Sequence, residues 1–254
     1  MGFESITKLC GIENYYGMNE YANKKDFDGL WGIWDHKFLT YYAKSLNTFS
    51  EPFFSSIFTV SSHHPFIIPK EFKNKFKKGK NPMYKCVQYT DYSLKLFFNN
   101  IKNKEWYKNT LFVITADHTS PKSSDELYKN KIGRYSIPMF FYIPNGELIG
   151  VNDVVTQHID IMPSILDYLG YDMPFISFGE SVFRKKSWAI HYNNNRYCLI
   201  TKNGYLNNIE EKYTTFSDWS LKDRIDNIEE DVLLLKSFKQ SYSKNMTINN
   251  LIIN

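Results

Sequence analysis

Short apolar runs alternate with stretches of helical periodicity along much of the chain. Residues 52–60, 110–115 and 137–143 are β-branched or aromatic runs of strand length, which are typical of buried strands. Residues 83–103 carry apolar side chains at helical spacing, and residues 160–169 predict a second, shorter helix. This alternation predicts an α/β fold with helices on the faces of a mostly parallel sheet.

The pattern changes towards the C-terminus. Three short runs are predicted to be antiparallel strands: residues 188–192, 196–201 and 204–206. A polar, charged helix is predicted over residues 220–242. We therefore expect two parts, residues 1–184 and a small C-terminal subdomain, residues 185–254, packed on the first.

The composition is typical of a folded domain but does not identify what the domain binds. The 254 residues are 43% hydrophobic and 17% aromatic, which is enough for one sizeable core. The net charge is +4, and residues 70–80 alone hold six lysines. No nucleic-acid-binding motif accompanies that run, so a solvated surface or attraction for an anionic substrate or lipid headgroup is expected instead. No apolar run approaches the length of a membrane span, and no signal peptide is expected at the start of these residues.

Common catalytic motifs are absent from the sequence. It contains no Gly-rich phosphate loop, G-x-S-x-G elbow, H-E-x-x-H helix or C-x-x-C pair, which excludes P-loop enzymes, serine hydrolases of that type and zincins. Cys10, Cys86 and Cys198 lack metal-ligand spacing. They are predicted to be core thiols with at most one disulfide among them.

The strongest candidate for chemistry is Asp117-His118, directly after the apolar run 110–115. Ligand sites of open α/β sheets lie beyond the carboxyl ends of strands, and a carboxylate and an imidazole can bind one divalent ion together. The alternative is an Asp that caps a helix beside an incidental His. From the local sequence, both interpretations remain open.

Other histidines and tryptophans are weaker candidates. Of the adjacent His63 and His64, one could stabilise a transferring oxyanion or donate to a leaving group, although a structural role is commoner. Trp31 and Trp34, in the segment 27–36, could form a substrate wall, but an aromatic core loop is favoured. His158 could be a further ligand, but a helix start is favoured. His191 is predicted to be structural, in an edge strand.

Six ordered segments carry a family resemblance: FDGLWGIWD, FTVSSHHPF, WYKNTLFVITADHT, IPMFFYIP, QHIDIMPSILDYLGY and FGESVF. Together they resemble the sulfatase-like, lipoteichoic-acid-synthase-type phosphoglycerol transferases of the alkaline phosphatase superfamily. The resemblance covers nearly the whole chain and weakens after about Lys185. It implies a three-layer α/β/α fold with a mostly parallel sheet.

The same resemblance implies a mechanism and a location. A Thr nucleophile bound to one divalent ion, Mn²⁺ or Mg²⁺, attacks an anionic phosphate or sulfate ester that is lipid- or glycan-linked. The covalent intermediate passes to an alcohol or to water. N-terminal transmembrane helices hold such enzymes at the extracytoplasmic face of the cell membrane.

Three residues take family roles by position. Asp117 and His118 match the Asp-His metal pair, and His63 matches the histidine that contacts the substrate phosphate. His158 stands where close relatives usually have glutamine, so it is left out of the metal ligands.

One departure limits the expected activity. The family's Thr nucleophile and acidic metal ligand lie upstream of the block that residues 1–5 resemble, so no catalytic residue is assigned here. The chain is expected to be the C-terminal portion of the enzyme, without the N-terminal part of the fold, and inactive alone. The alternative is a non-catalytic pseudoenzyme module that binds an anionic glycan or lipid headgroup.

Overall fold

The computed structural model forms two compact units. It describes residues 2–184, 188–209, 212–216, 224–225, 227–249 and 251. The first unit comprises Met1–Thr115, Lys122–Ser124 and Pro138–Leu148. The second comprises Ala116–Pro121, Asp125–Ile137 and Ile149–Asn254. The boundary predicted between residues 184 and 185 stays a prediction.

Helices dominate the first unit. Its helices are α1 (Phe3–Leu9), α2 (Met18–Tyr21), α3 (Asp35–Leu46) and α4 (Met83–Ile101), and its strands are β1 (Phe112–Thr115) and β2 (Met139–Tyr142). Helix α3 buries a stripe at helical spacing, Leu39, Ala43 and Leu46, against Phe97 and Ile101 of α4. Each large side chain buried there contributes roughly 1.5–3 kcal/mol. The α3–α4 pair is therefore the core of this unit.

Strands β1 and β2 confirm two of the predicted strands and correct their arrangement. They are shorter than the apolar runs that predicted them, and they pair antiparallel, with Phe112 opposite Tyr142 and Thr115 opposite Met139. β1 is half-buried rather than fully buried. Among the strands that the structure describes no pair is parallel, so the expected mostly parallel sheet is not seen in these residues.

Residues 52–60 were predicted to be a buried strand, and this prediction is wrong. The segment is extended, with side chains alternating between two environments. Phe53 and Ile57 pack against the α3–α4 core, while Phe54 is 73% exposed and Phe58 53% exposed. No backbone–backbone hydrogen bond joins residues 53–59 to any other described residue. An apolar run predicts an extended chain, but it cannot supply the neighbouring strand that a ladder requires.

The described residues of the second unit form an antiparallel sheet and two α-helices. Its elements are α5 (Ile161–Tyr168), β3 (Trp188–Asn193), β4 (Arg196–Thr201), β5 (Gly204–Ile209), β6 (Lys212–Phe216) and α6 (Glu229–Thr247). The strands lie in the order β3-β4-β5-β6. Leu199, Leu206 and Leu235 of α6 form its core with Trp188. The three predicted antiparallel strands are confirmed, and β6 was missed.

The two predicted helices of this unit are also present, with different bounds. α5 lies inside the predicted 160–169, after a short 3₁₀ turn (His158–Asp160). α6 begins at Glu229, later than the predicted residue 220, and residues 220–223 lie outside the described part of the chain. No helix among the described residues combines the length and the apolarity needed to cross a membrane.

The cysteines are all free thiols. Cys86 and Cys198 are buried, as predicted, and burial raises the pKa of Cys86 to about 11. Cys10 is exposed, so the prediction of a core thiol is wrong at this position. It lies just after the short helix α1, none of whose side chains is buried.

His191 lies in β3, an edge strand, as predicted. Its ring is 4.1 Å from that of Tyr135 and 6.2 Å from that of Tyr205, measured between centroids. Burial, reinforced by the nearby charge of Arg134, lowers the pKa of His191 to about 4. The imidazole is therefore neutral in the folded protein at neutral pH.

We predict that His191 makes folding sensitive to acid. Because its folded pKa is below the ordinary 6.5, its contribution is complete above pH 6.5 and is lost as the pH falls towards 4. His191→Gln should flatten the pH dependence of the free energy of unfolding in that window, by up to about one proton. Urea unfolding of the parent and the variant at several pH values measures this pH dependence. Equal slopes for the two proteins would contradict the assignment.

Candidate functional site

His63 lies in an exposed loop just after the extended segment 53–59. Its Nδ1 is 3.0 Å from the carbonyl oxygen of His64. A carbonyl oxygen only accepts, so Nδ1 donates this hydrogen bond and the proton of the neutral ring lies there. Nε2 is then the nitrogen that faces a ligand. It accepts in the neutral ring and donates when the ring is protonated.

Trp31 holds this loop in place. Its ring centroid is 3.9 Å from that of His63, and its Nε1 donates a 2.6 Å hydrogen bond to the carbonyl oxygen of His64. The indole is 43% exposed, so the core-loop interpretation favoured for residues 27–36 is wrong at Trp31. Ile33 and Asp35 are the buried residues of that segment. Trp31 and His63 thus form one aromatic surface open to solvent.

Asp28 fixes the backbone that carries Trp31. Its Oδ1 accepts hydrogen bonds from the amides of Leu30 and Trp31, both at 2.8 Å, and of Gly32 at 3.1 Å. Gly29 follows with φ +94°, in the left-handed region that favours glycine. This is an Asp-Gly turn in which the side chain satisfies three consecutive donors. The turn presents the indole to the His63 ring.

Asp35 is the buried anchor of the same loop. Its Oδ1 accepts from the amides of Val60 and Ser61, at 3.0 and 3.1 Å, and its Oδ2 accepts from Thr90 Oγ1 at 2.8 Å. The hydroxyl of Ser61 accepts from the Asp35 amide at 3.2 Å. The side chain is almost fully buried, with 1% of the residue exposed. One carboxylate therefore joins the first residue of α3, the start of the His63 loop and α4.

Asp117 and His118 are adjacent residues whose side chains can each bind a metal ion. Asp117 Oδ1 accepts from the His118 amide at 2.9 Å, which leaves Oδ2 3.5 Å from His118 Nε2. His118 Nδ1 lies 2.7 Å from the carbonyl oxygen of Thr119, so the neutral ring carries its proton on Nδ1 and its lone pair on Nε2. Both side chains are more than half exposed. A solvent-facing carboxylate oxygen and an unprotonated ring nitrogen therefore lie side by side.

His158 contacts the backbone just before this pair. Its Nε2 is 2.8 Å from the carbonyl oxygen of Ala116 and donates to it. It lies at the start of the 3₁₀ turn before α5, as the favoured interpretation predicted. Asp160 in the same turn accepts from the amides of Gln157 and Glu180, both at 2.9 Å, and burial raises the pKa of its carboxyl. His158 thus ties the residue preceding Asp117 to a well-bonded turn.

The side chains of Asp117 and His118 could occupy one side of the coordination shell of a divalent ion. Two neighbouring ligands at about 2.1 Å from one ion are about 3.0 Å apart in octahedral and about 3.4 Å apart in tetrahedral geometry, and the observed separation of 3.5 Å lies near this range. A ring nitrogen with its other N–H bonded to a carbonyl is the usual state of a metal-binding histidine. Among the described residues, however, no group of three His, Cys, Asp or Glu side chains could hold an ion. The pair fits part of a coordination shell and does not complete one.

The comparisons with known proteins decide the family. A family model described as Sulfatase matches residues 1–171, a range that contains His63, Asp117, His118 and His158. The chain belongs to the sulfatase family. The family resemblance stated from the ordered segments is thereby confirmed.

Curated relatives of this sulfatase-family chain include lipoteichoic acid synthases. Lipoteichoic acid synthase 1 of Bacillus subtilis (strain 168) is 25% identical over 199 residues, covering 72% of this chain and 31% of the relative. Lipoteichoic acid synthase of Staphylococcus aureus (strain USA300) is also 25% identical over 199 residues, with the same coverage. The chain thus matches about a third of the length of these relatives.

A solved structure shows the same fold. A protein in the alkaline phosphatase superfamily from Vibrio parahaemolyticus superposes with a TM-score of 0.80 at 22% identity, covering 100% of this chain and 64% of that chain. The alkaline-phosphatase-like fold class is therefore confirmed for this chain, with the corrections to individual strands given above.

Two of the residues that support the His63 loop, Asp28 and Asp35, were not predicted from the sequence. Asp28 is followed by Gly29, a turn signature that was available, but the target of its carboxylate was not. Asp35 was noted only as part of an aromatic segment. The contact between Trp31 and His64 spans 33 positions, and no local pattern indicates a partner so far along the chain.

We predict that Asp35 controls both stability and the His63 loop. Asp35→Ala leaves three donors unpaired, one buried and two partly buried, and should cost about 3 kcal/mol of unfolding free energy. Thr90→Val removes one of the three bonds and should cost about 1 kcal/mol. Urea unfolding gives the free energies, and the NMR signal of the His63 ring should shift only in Asp35→Ala. An alanine variant no less stable than Thr90→Val would refute this.

Proposed function

We propose that this chain supplies the Asp-His side of the metal site in a metal-dependent phosphoglycerol transferase or sulfatase-like hydrolase. The observation that carries the proposal is the pairing of Asp117 Oδ2 with the unprotonated Nε2 of His118, 3.5 Å apart and open to solvent. Membership of the sulfatase family supports ester chemistry at this pair. The substrate class we propose is an anionic phosphate or sulfate ester, lipid- or glycan-linked.

Each residue has a proposed task. Asp117 and His118 would hold one Mn²⁺ or Mg²⁺, which supplies polarisation of the ester oxygens and activation of the nucleophile when bound. His63, in its protonated form, donates from Nε2 to a phosphoryl or sulfuryl oxygen, because Nδ1 is already bonded to His64. Trp31 keeps that ring in one orientation and shields one of its faces from water.

We also propose that these 254 residues alone do not turn over substrate. By the family resemblance, the Thr nucleophile and the acidic ligand are outside them. The described residues offer two adjacent donors and no third. An ion held by two protein ligands keeps most of its water, so binding should be weak. The similarity to lipoteichoic acid synthases supports the extracytoplasmic face of the cell membrane as the place of action.

A non-catalytic module that binds an anionic glycan or lipid headgroup is the second candidate. The exposed Trp31–His63 surface favours it, because an indole face and a protonated imidazole can hold a charged sugar without a metal. The two functions differ in their requirement for an ion. Glycan binding that is unchanged by a chelator and lost in Trp31→Ala would favour the module.

We predict weak, pair-dependent Mn²⁺ binding without turnover. Mn²⁺ titration followed by electron paramagnetic resonance should show a millimolar-range site that weakens at least tenfold in Asp117→Asn. Asp172→Asn, at another exposed carboxylate, is the matched control and should bind like the parent. With Mn²⁺, p-nitrophenyl phosphate and p-nitrophenyl sulfate should remain unhydrolysed. Turnover that Asp117→Ala abolishes would overturn the inactivity, and unchanged Mn²⁺ affinity in Asp117→Asn would overturn the site.

We predict that His158 positions this pair through Ala116. His158→Ala removes the donor to the Ala116 carbonyl and should weaken Mn²⁺ binding roughly tenfold, as loss of a supporting hydrogen bond does at metal sites. His158→Gln should retain most of the affinity, because its amide can donate to the same oxygen. The same titration measures both variants. If the His158→Gln and His158→Ala variants bind Mn²⁺ equally, the hydrogen bond to Ala116 has no part in the site.

A further inference from the structure

A small cleft is lined by the C-terminal sheet and helix α6. Its volume is about 210 Å³, and it is lined by Tyr197, Asn208, Tyr213, Leu235, Lys236 and Lys239. The lining residues come from β4, β5, β6 and helix α6, so all belong to the second unit. Neither the sequence motifs nor the family match to residues 1–171 includes any of them.

Two lysines place positive charge in this cleft. Lys236 Nζ lies 5.8 Å from the ring centroid of Tyr213, and Lys239 Nζ lies 5.5 Å from that of Tyr197. The lysines are three positions apart on α6, so they occupy the same face, where like charges repel. No described carboxylate lies within ion-pair distance of either ammonium group.

The acidic residues of α6 lie elsewhere on the helix. Glu229, Glu230 and Asp231 are all in its first turn, and Asp231 accepts a 3.3 Å hydrogen bond from Thr201. The positions three and four residues from Lys236 and Lys239 are uncharged, apart from the two lysines themselves. The helix therefore brings two cations together without a neutralising partner of its own. A bound anion would relieve their repulsion.

The rest of the lining indicates what carries the anion. Tyr197 and Tyr213 offer phenol groups and ring faces, and Asn208 is an amide at the same cleft. Aromatic faces with hydroxyl and amide groups contact the C–H and O–H groups of a sugar or polyol. Leu235 closes the floor and is almost fully buried. The volume is sufficient for one small anionic unit.

We propose that this cleft is a second, non-catalytic site for a phosphate or sulfate ester of a polyol or sugar. Lys236 and Lys239 hold the anionic group, and the two tyrosines and Asn208 contact the polyol. The site is separate in sequence and chemistry from Asp117 and His118, and it requires no metal. Through this cleft the protein would bind one unit of an anionic polymer independently of the proposed metal site.

The test is a titration of the full chain with glycerol phosphate, followed by tyrosine NMR signals in the presence of a chelator. We expect saturable binding that weakens as salt rises and falls at least fivefold in Lys236→Gln/Lys239→Gln. Lys244→Gln, on the same helix and outside the cleft, is the control for charge and should bind like the parent. Asp117→Ala should also bind like the parent, which separates this site from the proposed metal site.

Two further probes define the ligand. Inorganic phosphate should bind more weakly than glycerol phosphate, and glycerol alone should not bind. Phosphate binding as tightly as the ester would overturn the polyol part of the proposal. Equal affinity in the parent and in Lys236→Gln/Lys239→Gln, or no saturable binding at all, would overturn the site. Circular dichroism of the double variant checks that these surface changes leave the fold intact.

Discussion

The buried carboxylate of Asp35 is the constraint on which the first unit depends. A charge taken out of water is costly unless its oxygens are bonded, and here two amides and a hydroxyl satisfy them. Asp35 is also the first residue of the twelve-residue helix α3, where the helix dipole favours negative charge. Because the donors come from separate parts of the chain, satisfying the charge brings those parts together.

The neighbouring pair His36 and Tyr89 strengthens the same junction. His36 Nδ1 lies 2.6 Å from the Tyr89 hydroxyl, and Tyr89 is fully buried in α4. Burial lowers the pKa of His36, which favours the neutral ring in its contact with Tyr89. Polar contacts therefore define how α3 and α4 meet at this end, and the apolar stripe completes the contact further along. The loop that presents His63 inherits its position from this arrangement.

The fold was predictable where a pattern is local. Helix α4 was predicted to within two residues because its apolar side chains recur regularly, and β3 to β5 because their runs are β-branched and aromatic. Strand β6 was missed because Lys212–Phe216 is largely polar. The segment 52–60 was assigned wrongly because hydrophobicity indicates extension and burial, whereas pairing depends on a neighbour elsewhere.

The candidate site, too, was predictable only in the features that depend on local sequence. Asp117 and His118 could be proposed from their place after an apolar run and from the family resemblance. The proton position on His118 could not, because it depends on a carbonyl oxygen that only the folded backbone brings near. The lysines above Tyr197 and Tyr213 escaped notice because a helix of mixed charge predicts only a solvated face.

In the extended segment 53–59, core packing of side chains and hydrogen bonding of the backbone do not coincide, although the two usually occur together. In α4, side chains packed in the core belong to a backbone whose amides are hydrogen-bonded within the helix. In residues 53–59, Phe53 and Ile57 pack equally against that core, yet the amides bond to no other described backbone group. Amide protons exchange with solvent where such bonds are missing, even beside a rigid core. Hydrogen exchange would therefore describe this segment as surface, although Phe53 and Ile57 pack against the interior.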